Sequence, residues 1–563
     1  MRKLKTRERM ATWGGANVAE QAGTRKTEKR TYPKQAAARE GATRLMVVSR
    51  SPILGKGNVD AEDSASDLDI FVSPANAWEQ SRITPLMNSH HSLHRVAFAA
   101  CCLFLFASRA QAAAPKKPNV LFIAIDDLRD WVGYFGRNPQ AKTPNIDRLS
   151  KMGVSFTRAY CASPSCNPSR AALMSGLRPS TSGVYENNID FRPHISADKP
   201  LTTAFRNAGY YVHGAGKIYH EAYRRPAEWD HYLENSGGNP KVPAGQSDGV
   251  GGIKFAALDC KDEDISDWNI TNYGIESLGR KHDKPFFLAV GLHKPHMPWN
   301  VPKKYFDQFP LESIKLPPHL ENDLDDIPAA GQRMARPEGD HAAMVQSGRW
   351  KEAVQAYLAT IAYTDMNIGR LLDALEKSPH RDNTIVVFWG DHGWHLGEKS
   401  HWRKFALWEE ATRAPLIWVV PGVTKPGVIC DRPVDFMSIY PTLTALCGIA
   451  TPSHVEGSNI RPLLADARAN WTTPAVMTYR FNNHSARTNE WRYIRYENGD
   501  EELYDERKDP NEYVNLANQP EFAGRKAELA KFLPTTNVPD PGSGPARKSG
   551  RNADKQENKK KAR

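Results

Sequence analysis

The chain of 563 residues has no apolar run long enough to span a bilayer, no internal repeat, little cysteine and almost no net charge over its central part. Each absence excludes a class. The apolar stretch Val96 to Ala107 is far shorter than the ~20 residues a spanning helix needs, so no stable membrane insertion is expected. The formal charge of +11 sits at the ends: residues 1–112 carry roughly +7 and 535–563 roughly +5, which leaves about −1 between them. A near-neutral body removes the main support for a nucleic-acid partner. The seven cysteines include Cys101 and Cys102, which lie inside the apolar stretch. The other five are Cys161, Cys166, Cys260, Cys430 and Cys447. An oxidising compartment permits disulfides among them, and the sequence assigns no pair. The odd number leaves one for chemistry if four pair, and buried free thiols are an equal account of those four.

His94 and Arg95 precede the apolar stretch, and Ala110-Gln111-Ala112 follows it. This is the layout of a secretory signal over 87–112. Met87 is therefore the expected start, with 1–86 a non-native or disordered extension. Export without an anchor places the protein outside the cell or in the periplasm, or in the lysosome of a eukaryote. Composition then divides the rest into a catalytic domain over 113–470, a smaller C-terminal subdomain over 471–534 and a disordered basic tail over 535–563.

Four apolar runs read as strands buried on both faces: Asn119 to Ile125, Pro285 to Val290, Thr384 to Trp389 and Pro415 to Val420. Ala353 to Lys377 reads as a helix, with Tyr357, Ile361, Ile368, Leu371, Leu372 and Leu375 near helical spacing. Strands separated by helices imply an α/β domain with a large, mostly parallel sheet. From Trp471 the pattern changes to short alternating segments. Trp491 to Tyr496 and Glu502 to Asp505, joined through Asn498-Gly499, predict an antiparallel hairpin, and Phe522 to Phe532 predicts a closing helix.

In an open α/β sheet, ligands gather beyond the carboxyl ends of the strands. Asp126-Asp127 follows the first run, Gly291-Leu292-His293-Lys294 the second and Asp391-His392-Gly393 the third. Adjacent carboxylates repel, and a hard cation resolves that repulsion. Helix capping by one aspartate is the plainer account of the first pair alone. Two acid-bearing strand ends together favour a shared ion.

Between them lies Cys166-Asn167-Pro168-Ser169-Arg170-Ala171-Ala172-Leu173-Met174-Ser175-Gly176-Leu177-Arg178-Pro179. This stretch resembles the signature of the formylglycine-dependent sulfatases of the alkaline-phosphatase-like superfamily. The resemblance implies that a maturation enzyme oxidises Cys166 to formylglycine, whose hydrate attacks sulfur through one hydroxyl and regenerates the aldehyde through the other. It further implies that Asp126, Asp127, Asp391, His392 and the modified Cys166 hold one divalent ion, expected to be calcium. Many sulfatases have Asn where this chain has His392. Arg170 should hold the nucleophile and neutralise charge. Lys217, in Gly216-Lys217-Ile218-Tyr219-His220, resembles a sulfate-binding lysine, with His220 near the nucleophile's departing proton. His293 resembles the histidine that protonates the leaving oxygen, with His296 as the competing choice. Lys404 resembles the second sulfate-binding lysine, with Arg403 as its alternative.

The longer runs around Asp126, His293 and Asp391 resemble the iduronate-2-sulfatase branch in particular, implying a sulfated glycan containing uronic acid as substrate. Trp394, Trp402 and Lys294 are candidates to frame its ring and carboxylate, and a core role is the plainer account of the tryptophans. The loops Tyr223 to Lys254 and Leu316 to Gly348 depart from the branch, and such loops set specificity. Asn269, Asn470 and Asn483 open glycosylation sequons. The alternatives are a phosphonate or phosphate ester hydrolase of the same superfamily and an inactive glycan-binding relic.

Overall fold

A computed structural model describes residues 117–220 and 223–540. The leader expected over 87–112 and the extension before it lie outside the described residues, as does 541–563 of the expected tail.

In chain order, the strands of the large sheet are Asn119–Ile125 (β1), Val154–Phe156 (β2), Tyr211–Gly216 (β3), His231–Leu233 (β4), Phe286–Leu292 (β5), Thr384–Gly390 (β6), Leu416–Val419 (β7) and Val428–Cys430 (β8). They lie side by side in the order β8-β2-β7-β6-β1-β5-β3-β4. The helices that matter for the site are Cys166–Ser175 (α1), Ser266–Gly279 (α2), Trp350–Lys377 (α3) and Glu409–Thr412 (α4). Strand β1 is buried along its whole length. Its alternate residues divide between two cores, with Leu121, Ile123 and Ile125 packed among residues of α2 and α3. Val120, Phe122 and Ala124 join Leu173 and Met174 of α1 on the other face. Cover on both faces is why the strand reads as an unbroken apolar run.

Strand β1 pairs in parallel with β6 and β5, and β3 in parallel with β5 and β4. Strand β7, the run expected at Pro415 to Val420, instead pairs antiparallel with both β6 and β2. A parallel crossover usually carries a full helix, and between β6 and β7 the chain has short strands and turns with no helix longer than the four-residue α4. The expected helix at Ala353 to Lys377 lies within α3, which is buried without a break from Ala356 to Asp365 and along one side beyond, through Ile368, Leu371 and Leu372.

The C-terminal region forms a four-stranded antiparallel sheet of Ala475–Thr478 (β9), His484–Arg487 (β10), Trp491–Arg495 (β11) and Glu501–Asp505 (β12). Gly499 turns the β11–β12 hairpin at φ 88°, a conformation that costs glycine little. Helix Ala523–Ala530 (α5) buries Leu529 against Trp491, Tyr493 and Leu503. Within the expected tail, the Val538 amide donates to the Ser180 carbonyl, and the Tyr185 hydroxyl donates to the Val538 carbonyl. Among the described residues, no helix is long and apolar enough to cross a membrane.

Candidate active site

Parallel strands deliver the residues that follow them to one edge of the sheet. Here each ladder runs one bond further than its strand. The Asp126 amide donates to Leu292 O at 3.2 Å, that of Asp391 to Ile125 O at 3.0 Å and that of Lys217 to Gly291 O at 2.8 Å. Asp126, Asp391 and Lys217 thus leave the sheet from fixed backbone. Helix α1 enters the same space at its N-terminus, with Cys166 as first residue. Asn187 closes that end from a neighbouring loop, its Oδ1 accepting from the Asn167 amide at 2.9 Å and from Ser165 Oγ at 2.8 Å.

Potential ligand atoms of Asp126, Asp127, Cys166, Asp391 and His392 all lie within 4.8 Å of one another, and every one of these residues is buried. Three cations surround them. Arg170 Nε donates to Asp391 Oδ2 at 2.9 Å and Nη2 to Asp126 Oδ1 at 3.3 Å. Lys217 Nζ donates to Asp126 Oδ2 at 2.5 Å. Lys404 Nζ donates to Asp127 Oδ1 at 2.6 Å and lies 2.9 Å from Cys166 Sγ. His392 Nε2 stands 3.4 Å from both Cys166 Sγ and Asp127 Oδ1. The three carboxylates Asp126, Asp127 and Asp391 thus balance Arg170, Lys217 and Lys404. A divalent cation added here would leave positive charge over for an anionic ester.

Burial raises the Asp126 carboxyl, but Lys217, His296 and Arg170 outweigh it and hold that group well below the usual carboxylate range. Burial also lowers the His392 imidazole, leaving it neutral and able to donate a lone pair. The Cys166 thiol is pushed well above its usual range by burial, despite the ammonium groups of Lys217 and Lys404. An unmodified thiol here stays protonated and is a poor nucleophile.

The remaining expected residues each have surroundings of their own. His293 turns to Asp267 of α2, which accepts from its amide at 2.9 Å and lies 3.2 Å from its Nδ1. His296 also approaches the acid cluster, with Nε2 3.8 Å from Asp127 Oδ2, and burial lowers its imidazole to about 4. His220 is half-buried, its ring 5.9 Å from that of Tyr223. Lys294 is buried and donates to Pro298 O, so it cannot meet a substrate carboxylate. Trp394 packs against Trp299 and Lys404, and buried Trp402 donates to His341. Neither indole offers a free face to a sugar. Arg403 is taken by Asp340 at 2.6 Å and leaves the cysteine to Lys404. Three supporting residues went unanticipated: Asn187, Ser169, whose Oγ donates to Asp391 O at 2.6 Å, and Tyr357, whose hydroxyl donates to Asp127 O at 2.7 Å. Only the distance in sequence hides them. Of the sequon asparagines, Asn269 and Asn470 are exposed, while Asn483 is buried.

The donor set fits a hard divalent ion, since three carboxylates and a neutral imidazole converge and Asp127 Oδ2 is buried without accepting any hydrogen bond. Such an orphaned acceptor is costly, and a cation relieves it. Carboxylates suited to an ion, cations suited to a tetrahedral anion and a helix N-terminus at Cys166 are the parts of a hydrolase of anionic esters. Residues 118–449 match the model of the sulfatase family, and residues 397–538 match that of the N-sulphoglucosamine sulphohydrolase C-terminal region. The chain belongs to the sulfatase family. It is 40% identical to a sulfatase of Formosa agariphila over 75% of this chain and 87% of that protein. It is 30% identical to human iduronate 2-sulfatase over 62% of this chain and 72% of that protein. Among solved structures, a phosphonate monoester hydrolase from Silicibacter pomeroyi shares the fold, with a TM-score of 0.63 and 20% identity over 74% of this chain and 94% of that one.

Proposed function

We propose that this sulfatase removes sulfate from a glycan containing uronic acid, in the manner of an iduronate-2-sulfatase, after Cys166 has been converted to formylglycine. The observation that carries the reading is the enclosure of Cys166 by three carboxylates and three cations, in a chain that shares 30% identity with human iduronate 2-sulfatase. The formylglycine requires a maturation enzyme, and the leader-like segment 87–112 supports export.

Asp126, Asp127, Asp391, His392 and the modified residue 166 would hold the ion, which we take to be calcium from the oxygen-rich donor set. When bound, the ion supplies Lewis acidity and lowers the pKa of a nearby hydroxyl. Formylglycine supplies a hydrated aldehyde, with one hydroxyl to attack and one to expel sulfate. Lys217 and Lys404 bind sulfate oxygens and stabilise the charge that builds on them, while Arg170 holds the nucleophile against Asp126 and Asp391. The N-terminus of α1 favours negative charge at residue 166. His220 receives the nucleophile's departing proton. His293, whose Nδ1 faces Asp267, protonates the sugar oxygen that leaves, a role that suits it better than His296, whose imidazole burial lowers to about 4.

The test is inorganic sulfate release from a panel of defined disaccharides, with and without a 2-O-sulfated uronic acid, alongside matched aryl sulfate and aryl phosphonate esters. Preferential release from the 2-O-sulfated uronate is expected, and Cys166→Ala should release none. Faster turnover of the phosphonate, or release only from sugars lacking a uronic acid, would sink the reading.

A further inference from the structure

Away from the acid cluster lies a second gathering of buried charge. Glu409, Glu506 and Glu512 stand close enough to share an ion, but guanidinium groups already occupy them. Arg413 Nη1 reaches Glu409 Oε1 at 2.8 Å, Arg487 Nε reaches Glu409 Oε2 at 3.2 Å and Arg487 Nη2 reaches Glu506 Oε2 at 2.9 Å. Arg492 pairs with both Glu409 and Glu512. The trio is thus an ion-pair network. It joins β10 and β11 of the C-terminal sheet, through Arg487 and Arg492, to Glu409 of α4.

The network does not stop at α4. Arg413, directly after that helix, also reaches Asp130 Oδ2 through Nη2 at 2.6 Å, and Asp130 Oδ1 accepts from Arg129 Nε at 2.9 Å. Asp130 lies in the loop that begins with Asp126 and Asp127. The Arg129 amide donates to the Tyr357 hydroxyl at 3.1 Å, and that hydroxyl donates to the Asp127 carbonyl at 2.7 Å. Asp127 itself sits at φ 58°, a left-handed conformation that an aspartate holds only where its surroundings impose it. The other acid-bearing loop is tied to the same short helix. Gly393, next to His392, donates to Ala411 O at 2.9 Å, and Trp394 donates to Glu410 O at 2.6 Å. Gly393 has no room for a side chain, since a Cβ there would lie 1.9 Å from Glu410 O.

We infer that Arg413 is a positioning residue for the metal centre: it couples the C-terminal sheet, through Glu409 and Asp130, to the loop that carries Asp126 and Asp127. The inference rests on the reading of the acid cluster as a cation site. Arg413 touches none of the proposed ligands. Its fork spans two carboxylates on different segments, one on the ligand loop and one on the helix against which the second ligand loop is fastened. A lysine can neutralise one of them and cannot bridge both with the same geometry. Loss of the bridge should let the Asp126–Asp127 loop relax, and the cost should appear first as weaker ion binding. Removing a partner that orients metal ligands typically weakens affinity 10–100-fold.

The test uses the full chain, stripped with a chelator and titrated with Ca2+ by calorimetry, with the Ca2+-induced rise in Tm as a second measure. Arg413→Lys is the main variant, and Glu409→Gln breaks the same relay from the other side. Leu529→Ala serves as control: it opens the C-terminal core among Trp491, Tyr493 and Leu503 without touching the network. The expected result is a Kd for Ca2+ weaker by ~10–100-fold in both relay variants, with sulfatase kcat recovering at saturating Ca2+. The control should lose thermal stability and keep the wild-type Kd. Ca2+ binding by Arg413→Lys and Glu409→Gln within twofold of wild type would overturn the inference alone. So would an equal weakening in Leu529→Ala, because general loosening would then account for it. A wild-type chain that takes up no divalent ion would overturn the cation-site reading as well.

Discussion

Replacing Lys404 with methionine should make the protein bind its ion more tightly and work far more slowly. The side chain is buried, with Nζ 2.6 Å from Asp127 Oδ1 and 2.9 Å from Cys166 Sγ. Its backbone neighbours Arg403 and Phe405 both sit at φ 77°, conformations of the kind that functional sites retain. Methionine keeps the length and removes the charge. Without an ion, Asp127 loses its closest cation and keeps only His392 at 3.4 Å and His296 at 3.8 Å. Breaking a buried pair in this way costs ~3–5 kcal/mol. At ~2.1 cal/mol/K per residue over about 420 described residues, the unfolding entropy is ~0.9 kcal/mol/K, so Tm should fall by ~3–6 °C in chelator. A divalent ion takes over the charge of Asp127 without competition from the ammonium, so saturating Ca2+ should restore most of that loss. The Ca2+-induced rise in Tm should therefore exceed that of wild type. Turnover moves the other way: losing one preorganised partner of the sulfate oxygens costs ~2.7–4 kcal/mol, or ~10²–10³ in kcat. Scanning calorimetry with and without Ca2+, together with sulfate-release kinetics at saturating Ca2+, reads both effects. A kcat within about threefold of wild type, or a smaller Ca2+-induced rise in Tm, would refute the placement of Lys404 between ion and substrate.

The two histidines separate by leaving group. His293→Ala should lower kcat on sugar sulfates, whose alcohol leaves poorly, by ~10²–10⁴ and affect 4-nitrophenyl sulfate much less; His296→Ala showing the larger and more selective loss would reverse the assignment. Lys294 gives a pH signature, because burial lowers its ammonium from 10.5 to about 8. A depressed lysine favours the neutral form in the fold, so its contribution is full above the unfolded value near 10.5 and is lost as pH falls through 8. The difference amounts to ~3 kcal/mol. Wild type should therefore gain stability over Lys294→Met as pH rises from 8 toward 10.5. Denaturation midpoints that run parallel with pH in the two proteins would count against it.

What could be read from the sequence was chemistry set by neighbours along the chain; what could not was chemistry set across the fold. Asn119 to Ile125 announces a strand buried on both faces because nothing polar interrupts it, and Asp126-Asp127 then stands out at its end. The strand that leads to Lys217 lies two places from β1, beside the edge strand β4, and shows no such run. Its sequence is Tyr-Val-His-Gly-Ala-Gly. The glycines are there because the partner strand leaves no space: a Cβ on Gly214 would lie 2.8 Å from Ala289 O and one on Gly216 2.0 Å from Gly291 O. The close packing of this strand against β5 therefore erases its apolar signature. The separate surroundings of His293 and His296 were hidden for a related reason. Both occur in one short motif, and the motif is silent on which ring faces the acids. That is decided by Asp267, in a helix that precedes them, which binds the amides of His293 and Lys294 and faces the His293 ring. The direction of Leu416–Val419 was likewise hidden, because an apolar run has no sign and only the missing crossover helix settles it. Arg413 takes this furthest. Its i,i+4 pairing with Glu409 is a commonplace of helices, and its reach to Asp130 exists only once α4 has packed beside the loop after β1. Such residues become visible when one asks which buried side chain holds two segments that must not move apart.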